Sequence, residues 1–552
     1  MYSSLPNLPE LRLLNPPSIR IAPNTRVPFP SEIAELVNHP SFQRLRGVRQ
    51  LGFVDRIFPS ANHSRFEHSL GVFAKAVNYV HALWHDPNCD FFRDTMRERE
   101  IRTLLVAALC HDLGQYPYSH VIEDTERDEQ GDLTDVYDHE GFTKLLLTRE
   151  DFRQEVLADC APGAPSLDSI FEKLGISGSD VTAVLDGRDF SNLAHGAAPL
   201  LHSIIDGPID ADKLDYLQRD SHHAGVVFGR SIDEDRLFQS LTVVEVDQQG
   251  RAVRSRVGNA KEARTHYELA ITDKGRVPAE QVMVARWHMF TQLYWHRTTR
   301  AHEAVLATAI RRLRGLGRET GFDQWFRKVV LNPRTSDEWF LEVVRAVAAG
   351  DGAAGIRFPQ SAESRRVIEK CLEMLASLSW SAGRTPYKRL VTVSVSNDQY
   401  LYKILQNVRS AIDSSGRAVI DSLAFDLVDR LNATFTGLNL DPLELVVDIP
   451  AKRSPANSVW MVSLESLSRG DVSRLSDHSE MWKSFGSDFQ SRTRKIRLFC
   501  PHHVRERLHG SPDPNSNTAR ANSLKVYDLL REAAHKIGRV VIQVDAFGHQ
   551  PG

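Results

Sequence analysis

This chain of 552 residues lacks most of the features that announce a compartment or a bulk partner. No stretch approaches the roughly 18 uninterrupted apolar residues that a membrane-spanning helix needs. The Pro- and Asn-rich start, residues 1–30, has no charged segment leading into an apolar run, so neither a signal peptide nor a membrane anchor is expected. Cysteine is scarce. Cys89, Cys110, Cys160, Cys371 and Cys500 are odd in number, scattered and never in C-x-x-C spacing, which speaks for reduced thiols and a cytoplasmic setting rather than a disulfide framework. Charge of one sign is lacking too. A formal net charge of −3 argues against wholesale binding of nucleic acid or a membrane surface, so any anion site has to be local. No internal repeat of solenoid period is apparent.

What is present is enough apolar sequence, 41%, to fill two to four packed units in a globular protein of this length. Residues 1–30 carry Pro6, Pro9, Pro16, Pro17, Pro23, Pro28 and Pro30 and read as an extended or irregular arm. A first helix is expected near 31–37. From Phe42 to about Arg230 the pattern is helical: Phe66, Leu70, Phe73, Val77, Val80 and Leu83 recur at three- and four-residue spacing, and Ile101, Leu104, Leu105, Ala108 and Leu109 lead straight into His111. An acidic stretch, residues 125–138, predicts a surface loop. Residues 241–247 (LTVVEVD) and 267–271 (YELAI) predict a small pair of strands, and Pro278 opens a long helix through Val282, Met289, Leu293, Val305 and Ile310. Breaks are expected at 350–355 and 377–384. The segments 443–449 (LELVVDI), 459–464 (VWMVSL), 495–500 (KIRLFC) and 539–545 (RVVIQVD) predict strands of a small C-terminal sheet.

The chemistry is carried by a split pattern, His68, then His111-Asp112, then Asp212, with every member in a helix-forming context. Imidazole nitrogen and carboxylate oxygen are donors that Fe, Mn, Zn or Ni accept, and such a set leaves positions open for water and substrate. Adjacent His111 and Asp112 lie about 100° apart around a helix, so both reach one ion only at a helix end, which Gly114 and Pro117 supply. His120 follows nine residues after His111, and Glu123 stands three residues further on the same helical face. A His with a carboxylate orienter suits general acid–base work.

The strings at 42–46 (FQRLR), 50–52 (QLG), 63–72 (HSRFEHSLGV), 110–114 (CHDLG), 119–120 (SH), 209–216 (IDADKLDY) and 219–223 (RDSHH) resemble the HD-domain deoxynucleoside triphosphate triphosphohydrolases, both the vertebrate enzyme with a sterile-alpha-motif domain and its bacterial dGTPase-like homologues. No sterile-alpha-motif segment is read ahead of the core. The resemblance implies a mainly α fold: an N-terminal arm (1–30), an HD phosphohydrolase core (31–320) with a small β insertion, a helical extension (321–440) and a C-terminal α/β lobe (441–552). It implies His68, His111, Asp112 and Asp212 as ligands of a divalent metal, with Fe, Mn, Mg, Zn and Ni all open. It implies His120 with Glu123, and His139, as catalytic groups; Arg65, Lys213 and Tyr216 as phosphate contacts; and Gln50, Asp220 and Tyr294 around the sugar.

The implied reaction is attack of water on the α-phosphorus of a dNTP, releasing a deoxynucleoside and tripolyphosphate. A homo-oligomer, whether dimer, tetramer or hexamer, is expected, and a regulatory nucleotide is a further expected partner. Two departures stand out. Gln115 replaces a His of the family, and Asn38 replaces an Asp of the regulatory guanine-nucleotide site, although Gln43 and Arg46 remain. Two other readings stay open, an HD phosphohydrolase or phosphodiesterase acting on another bond and a nucleotide-binding sensor without turnover.

Overall fold

A computed structural model describes residues 5–12, 17–23, 25–123, 138–157, 165–189, 193, 196–247, 249–252, 265–316, 325–326, 329–330, 332, 334–348, 361–378, 387–409, 411, 419–450, 458–463, 472–484, 493–510, 513 and 515–547; for 345, 347–348 and 539–547 the backbone alone is described. The acidic stretch 125–137, the break at 350–355 and most of the break at 377–384 lie outside the described residues.

The chain is mainly helical, and three helices frame its centre. Arg65–Trp84 is apolar nearly all round: sixteen of its twenty residues are buried, the mark of a central rather than a surface helix. Glu98–Cys110 and Ala211–His223 pack on either side of it. Phe73, Val80, Leu104, Leu105, Leu214 and Leu217, all buried, fill the space between them. Truncating one of these to Ala would cost about 2–5 kcal/mol, a large share of a domain's net stability.

The arm is more ordered than its proline content suggests. A short 3-10 turn, Pro9–Leu11, and an antiparallel pair, β1 (Ser18–Ile21) and β2 (Thr25–Pro28), lie on the core, with Leu8, Leu11 and Val27 buried in it. The expected insertion forms β3 (Leu241–Val246) and β4 (His266–Thr272), paired antiparallel.

Four expectations are corrected. The long helix from Pro278 is two helices, Arg276–Met289 and Arg297–Gly315, separated by a π-helical turn, Phe290–Tyr294, and two residues; the His296 side chain caps the second helix by accepting from the Thr298 N–H at 3.3 Å. Segment 459–464 contributes β7 (Trp460–Val462) not to the C-terminal sheet but to the insertion, parallel to β4, where the Trp460 indole donates to Glu268 at 2.8 Å; β8 (Val472–Arg474) completes the order β3-β4-β7-β8. The C-terminal sheet has the order β5-β9-β6, and its first strand, β5 (Tyr387–Val393), comes from the stretch read as helical extension, pairing with β9 (Ile496–Pro501) beside β6 (Val446–Asp448). Finally, 539–545 is not a strand but the end of the helix Asn517–Phe547. Its β-branched run prefers a strand only weakly, whereas Val526, Leu530, Ala533 and Ala534 bury a helical stripe ahead of it, and helix propagation carries the run along. Among the described residues, no helix is long and apolar enough to cross a membrane.

Candidate metal centre and cavity

The metal-ligand candidates arrive from three helices. His68 projects from the first turns of Arg65–Trp84, His111 is the C-cap of Glu98–Cys110 with Asp112 next to it, and Asp212 lies in the first turn of Ala211–His223 behind the N-cap Asp210. His68 Nε2 stands 3.0 Å from Asp212 Oδ1 and 3.8 Å from Asp112 Oδ2, and His111 Nε2 stands 3.6 Å from Asp112 Oδ2 and 3.7 Å from Asp212 Oδ1. Donors at about 2.0–2.2 Å from one ion lie roughly 3–3.5 Å from each other, so His68, His111 and Asp112 are close to the spacing a cation requires, with Asp212 beside the two histidines.

The donor chemistry fits as well. His111 Nδ1 donates to the Ala108 carbonyl at 2.9 Å, which turns the buried Nε2, without a hydrogen bond, toward Asp112 and Asp212; burial opposes charge on the ring, but these two carboxylates raise its pKa. His68 Nδ1 is held by Asp215 at 2.9 Å. Burial opposes charge on His68, but Asp212 and Asp215 outweigh it and raise its pKa to about 10. Carboxylates that draw a proton so strongly onto this point would draw a divalent cation in its place. Burial works against charge on Asp112 too, yet His111, Arg65 and His68 hold it well below the usual carboxylate range.

This cluster lies at one end of a cavity of about 420 Å³ whose lining includes Gln50, Arg65, Asp112, His120, His139, Asp212, Lys213, Tyr216, Asp220 and Tyr294. The sequence-predicted residues are therefore brought to one place, with His68, His111 and Glu123 directly behind the wall. Arg65 Nη1 donates to Asp112 Oδ2 at 2.6 Å and Nη2 stands 3.3 Å from His120 Nε2, so its partner is Asp112 and not Glu67. An arginine only donates, so His120 Nε2 accepts there and its proton sits on Nδ1, 3.4 Å from Glu123 Oε2.

Glu123 also receives His139, ring to Oε1 at 2.6 Å and backbone N–H at 3.1 Å. Burial opposes its ionisation, but the hydrogen bonds from His120 and His139 hold it far below its ordinary value. In return, against the effect of burial, Glu123 raises His139 to about 8. Gly114 makes this possible: a Cβ there would overlap the His139 carbonyl and Thr143 N, so no larger residue lets the helix His139–Thr148 approach.

Lys213 is less free than a phosphate contact needs. Its Nζ donates to Asp210 at 2.6 Å and lies 3.7 Å from Asp206. Gln115 fills its replaced position by donating to Asp112 Oδ1 at 3.2 Å and bonding Ser119. On the cavity wall the Tyr294 hydroxyl donates to Asp220 Oδ2 at 2.7 Å while His63 Nε2 meets Asp220 Oδ1 at 2.8 Å. Tyr294 ends the π-helical turn, an irregularity that commonly marks functional sites. Gln50 Oε1 is buried without a partner. Sequence reasoning passed over Asp215, Arg219, Glu67, His63, Arg286 and Trp295. For Asp215 and Arg219 a signal existed, since they follow Asp212 at three- and four-residue steps on one helix.

Residues 65–164 match the family described as HD domain. The uncharacterized protein YwfO of Bacillus subtilis is 30% identical over 284 residues, 51% of this chain and 52% of that protein. Deoxynucleoside triphosphate triphosphohydrolase SAMHD1 of Mus musculus is 31% identical over 236 residues, 40% of this chain and 33% of the mouse protein. The chain thus spans about half or less of the length of these curated relatives. The crystal structure of a phosphohydrolase from Bacteroides thetaiotaomicron superposes with a TM-score of 0.55 at 18% identity, covering 88% of this chain and 99% of that one, so the two share a fold. Over residues 65–164, then, this mainly helical chain is similar to the HD domain, and over part of its length it is similar to proteins that include the mouse triphosphohydrolase.

Proposed function

We propose that this protein is a metal-dependent hydrolase that cleaves deoxynucleoside triphosphates to deoxynucleoside and tripolyphosphate. One observation supports it above the others: Asp112 and Asp212 line a single cavity together with Arg65, Lys213 and the Asp220–Tyr294 pair, and His68 and His111 stand within 3.8 Å of those two carboxylates. A divalent ion held by the four donors would supply Lewis acidity toward a phosphoryl oxygen and a more acidic water.

The remaining work falls to the chain. Arg65 is placed to exchange Asp112 for a phosphate oxygen, with His139 adding positive charge up to about pH 8. With Arg65 turned to the phosphate, His120 Nε2 takes up a proton from solvent and passes it to the departing 5′ oxygen. The water oxygen bonds to the α-phosphorus, the bond from that phosphorus to O5′ breaks, and the water returns one proton to solvent. Tyr294 and Gln50 border the sugar, where an aromatic ring under the 2′ carbon crowds out a ribose hydroxyl. Incubating the protein with each dNTP and Mn²⁺ and separating the products tests the reading. Deoxynucleoside with tripolyphosphate is expected, whereas monophosphate with pyrophosphate assigns a different bond.

A further inference from the structure

We infer that Asp215 and Arg219 are positioning residues for the metal centre, and that Gly71 provides the clearance that seats them. This rests on the reading of His68 as a metal ligand, but not on the identity of the substrate.

Asp215 Oδ2 accepts from His68 Nδ1 at 2.9 Å and from Arg219 Nε at 2.9 Å, while its Oδ1 accepts from Arg219 Nη2 at 2.7 Å. The second amino group of Arg219 donates to Glu67 Oε1 at 2.7 Å and to the Ala22 carbonyl in the arm. Both side chains are almost fully buried, with Arg219 at 1% and Asp215 at 2% exposure. A buried ion pair is a costly way to hold a fold together, since desolvation takes several kcal/mol per ion and well-packed apolar residues do the job at least as well.

Gly71 adds a second cost at the same spot. It sits in the interior of the helix Arg65–Trp84, where glycine is worth about 1 kcal/mol less than alanine. A Cβ there would overlap Asp215 Oδ1, Asp215 Cγ and Arg219 Nη2. Two unfavourable choices therefore meet at one contact, and what they jointly deliver is a carboxylate on His68 Nδ1. That carboxylate fixes the ring so that Nε2 faces Asp112 and Asp212, and it makes the imidazole a stronger donor. His111 is held differently, by a neutral carbonyl, so the two ring donors are unequal and His68 is the stronger.

The network then continues. Glu67 Oε1 lies 3.3 Å from His223 Nε2, and the His223 ring stacks on His63 at 4.3 Å, the same His63 that bonds Asp220. Through this route, buried at Arg219 and His63 and half-buried at Glu67 and His223, the orientation of His68 and that of the Asp220–Tyr294 wall share one support.

The test is Mn²⁺ binding to the full chain by calorimetry, alongside thermal unfolding with and without Mn²⁺. Asp215→Asn keeps the shape of the side chain and should weaken Mn²⁺ binding by about 10- to 100-fold, with a smaller Mn²⁺-induced rise in Tm. Gly71→Ala removes no polar group and should reproduce the loss by displacing the pair. If both variants bind Mn²⁺ as the wild type does, the inference is overturned. It is overturned as well if both fail to fold, because the network would then be carrying the fold. If the wild type takes up no Mn²⁺, the metal reading itself falls. If the wild type binds Mn²⁺ but leaves dNTPs intact, only the substrate reading falls.

Discussion

Two polar clusters in the same helical core show what separates a site from a scaffold. In the segment around Asn38, Gln43 donates to the Val37 carbonyl at 2.7 Å, Arg46 donates to Gln43 at 2.8 Å, and the Arg46 guanidinium lies 3.6 Å above the Phe66 ring. Each of these bonds is satisfied within six residues of chain. At the candidate metal centre the polar atoms come from helices far apart in sequence, their outer nitrogens are tied back to Asp215 and Ala108, and their inner atoms converge, with His111 Nε2 making no hydrogen bond. Similar residue types are spent locally in one place and kept available in the other.

The comparison breaks most visibly at the metal donors. His111→Ala or Asp112→Ala should lower dNTP hydrolysis by at least about 10³-fold, equivalent to roughly 4 kcal/mol of transition-state stabilisation. Arg46→Ala should stay within about threefold of wild type in steady-state assays without added effector, since it removes scaffold contacts worth about 1 kcal/mol. Comparable losses in the two variants would erase the distinction.

Within the metal end the roles divide further. His120→Gln should reduce kcat by about 10²-fold while the metal content, measured by mass spectrometry, stays at wild type. A parallel loss of metal would make His120 a ligand instead, a role the spacing of His120, Glu123 and His139 also permits. Tyr294→Ala should narrow the preference for dNTP over NTP in kcat/KM by about tenfold. Competition assays with paired substrates read that ratio directly, and an unchanged ratio would remove Tyr294 from discrimination.

The smallest effect is one of stability. The folded-state pKa of His139 lies above its ordinary value, at about 8. The stabilisation from its pairing with Glu123 is therefore fully present below about pH 6.5 and lost as pH rises through about 8. In the metal-free protein, wild type should lose on the order of 1 kcal/mol relative to His139→Gln across that window, measured by urea unfolding. A pH-independent difference would mean that the pairing does not persist in solution.

Legibility followed the same division. Helix periodicity placed Arg65–Trp84 and Glu98–Cys110, because their apolar residues face several neighbours at once and the pattern is long. The candidates His68, His111, Asp112 and Asp212, which the fold brings close together, could be picked out because chemistry restricts their types and helix ends restrict their spacing. Less was readable where tertiary context decides. The run at 539–545 is β-branched yet helical, and residues 460–462 join β4 rather than the sheet nearer in sequence, since strand pairing depends on which edge is open. The π-helical turn before Trp295 leaves no period in the sequence. Asp215 and Arg219 escaped notice because their importance lies in what they hold, which only the His68 contact reveals.

The account turns on which bond is cut, and hydrolysis in ¹⁸O-labelled water reads that most directly. With each dNTP and Mn²⁺, the label should appear in tripolyphosphate, the deoxynucleoside should be unlabelled, and His111→Ala should form neither product. Label in a nucleoside monophosphate, with pyrophosphate released, or in inorganic phosphate alone would contradict the proposed reaction.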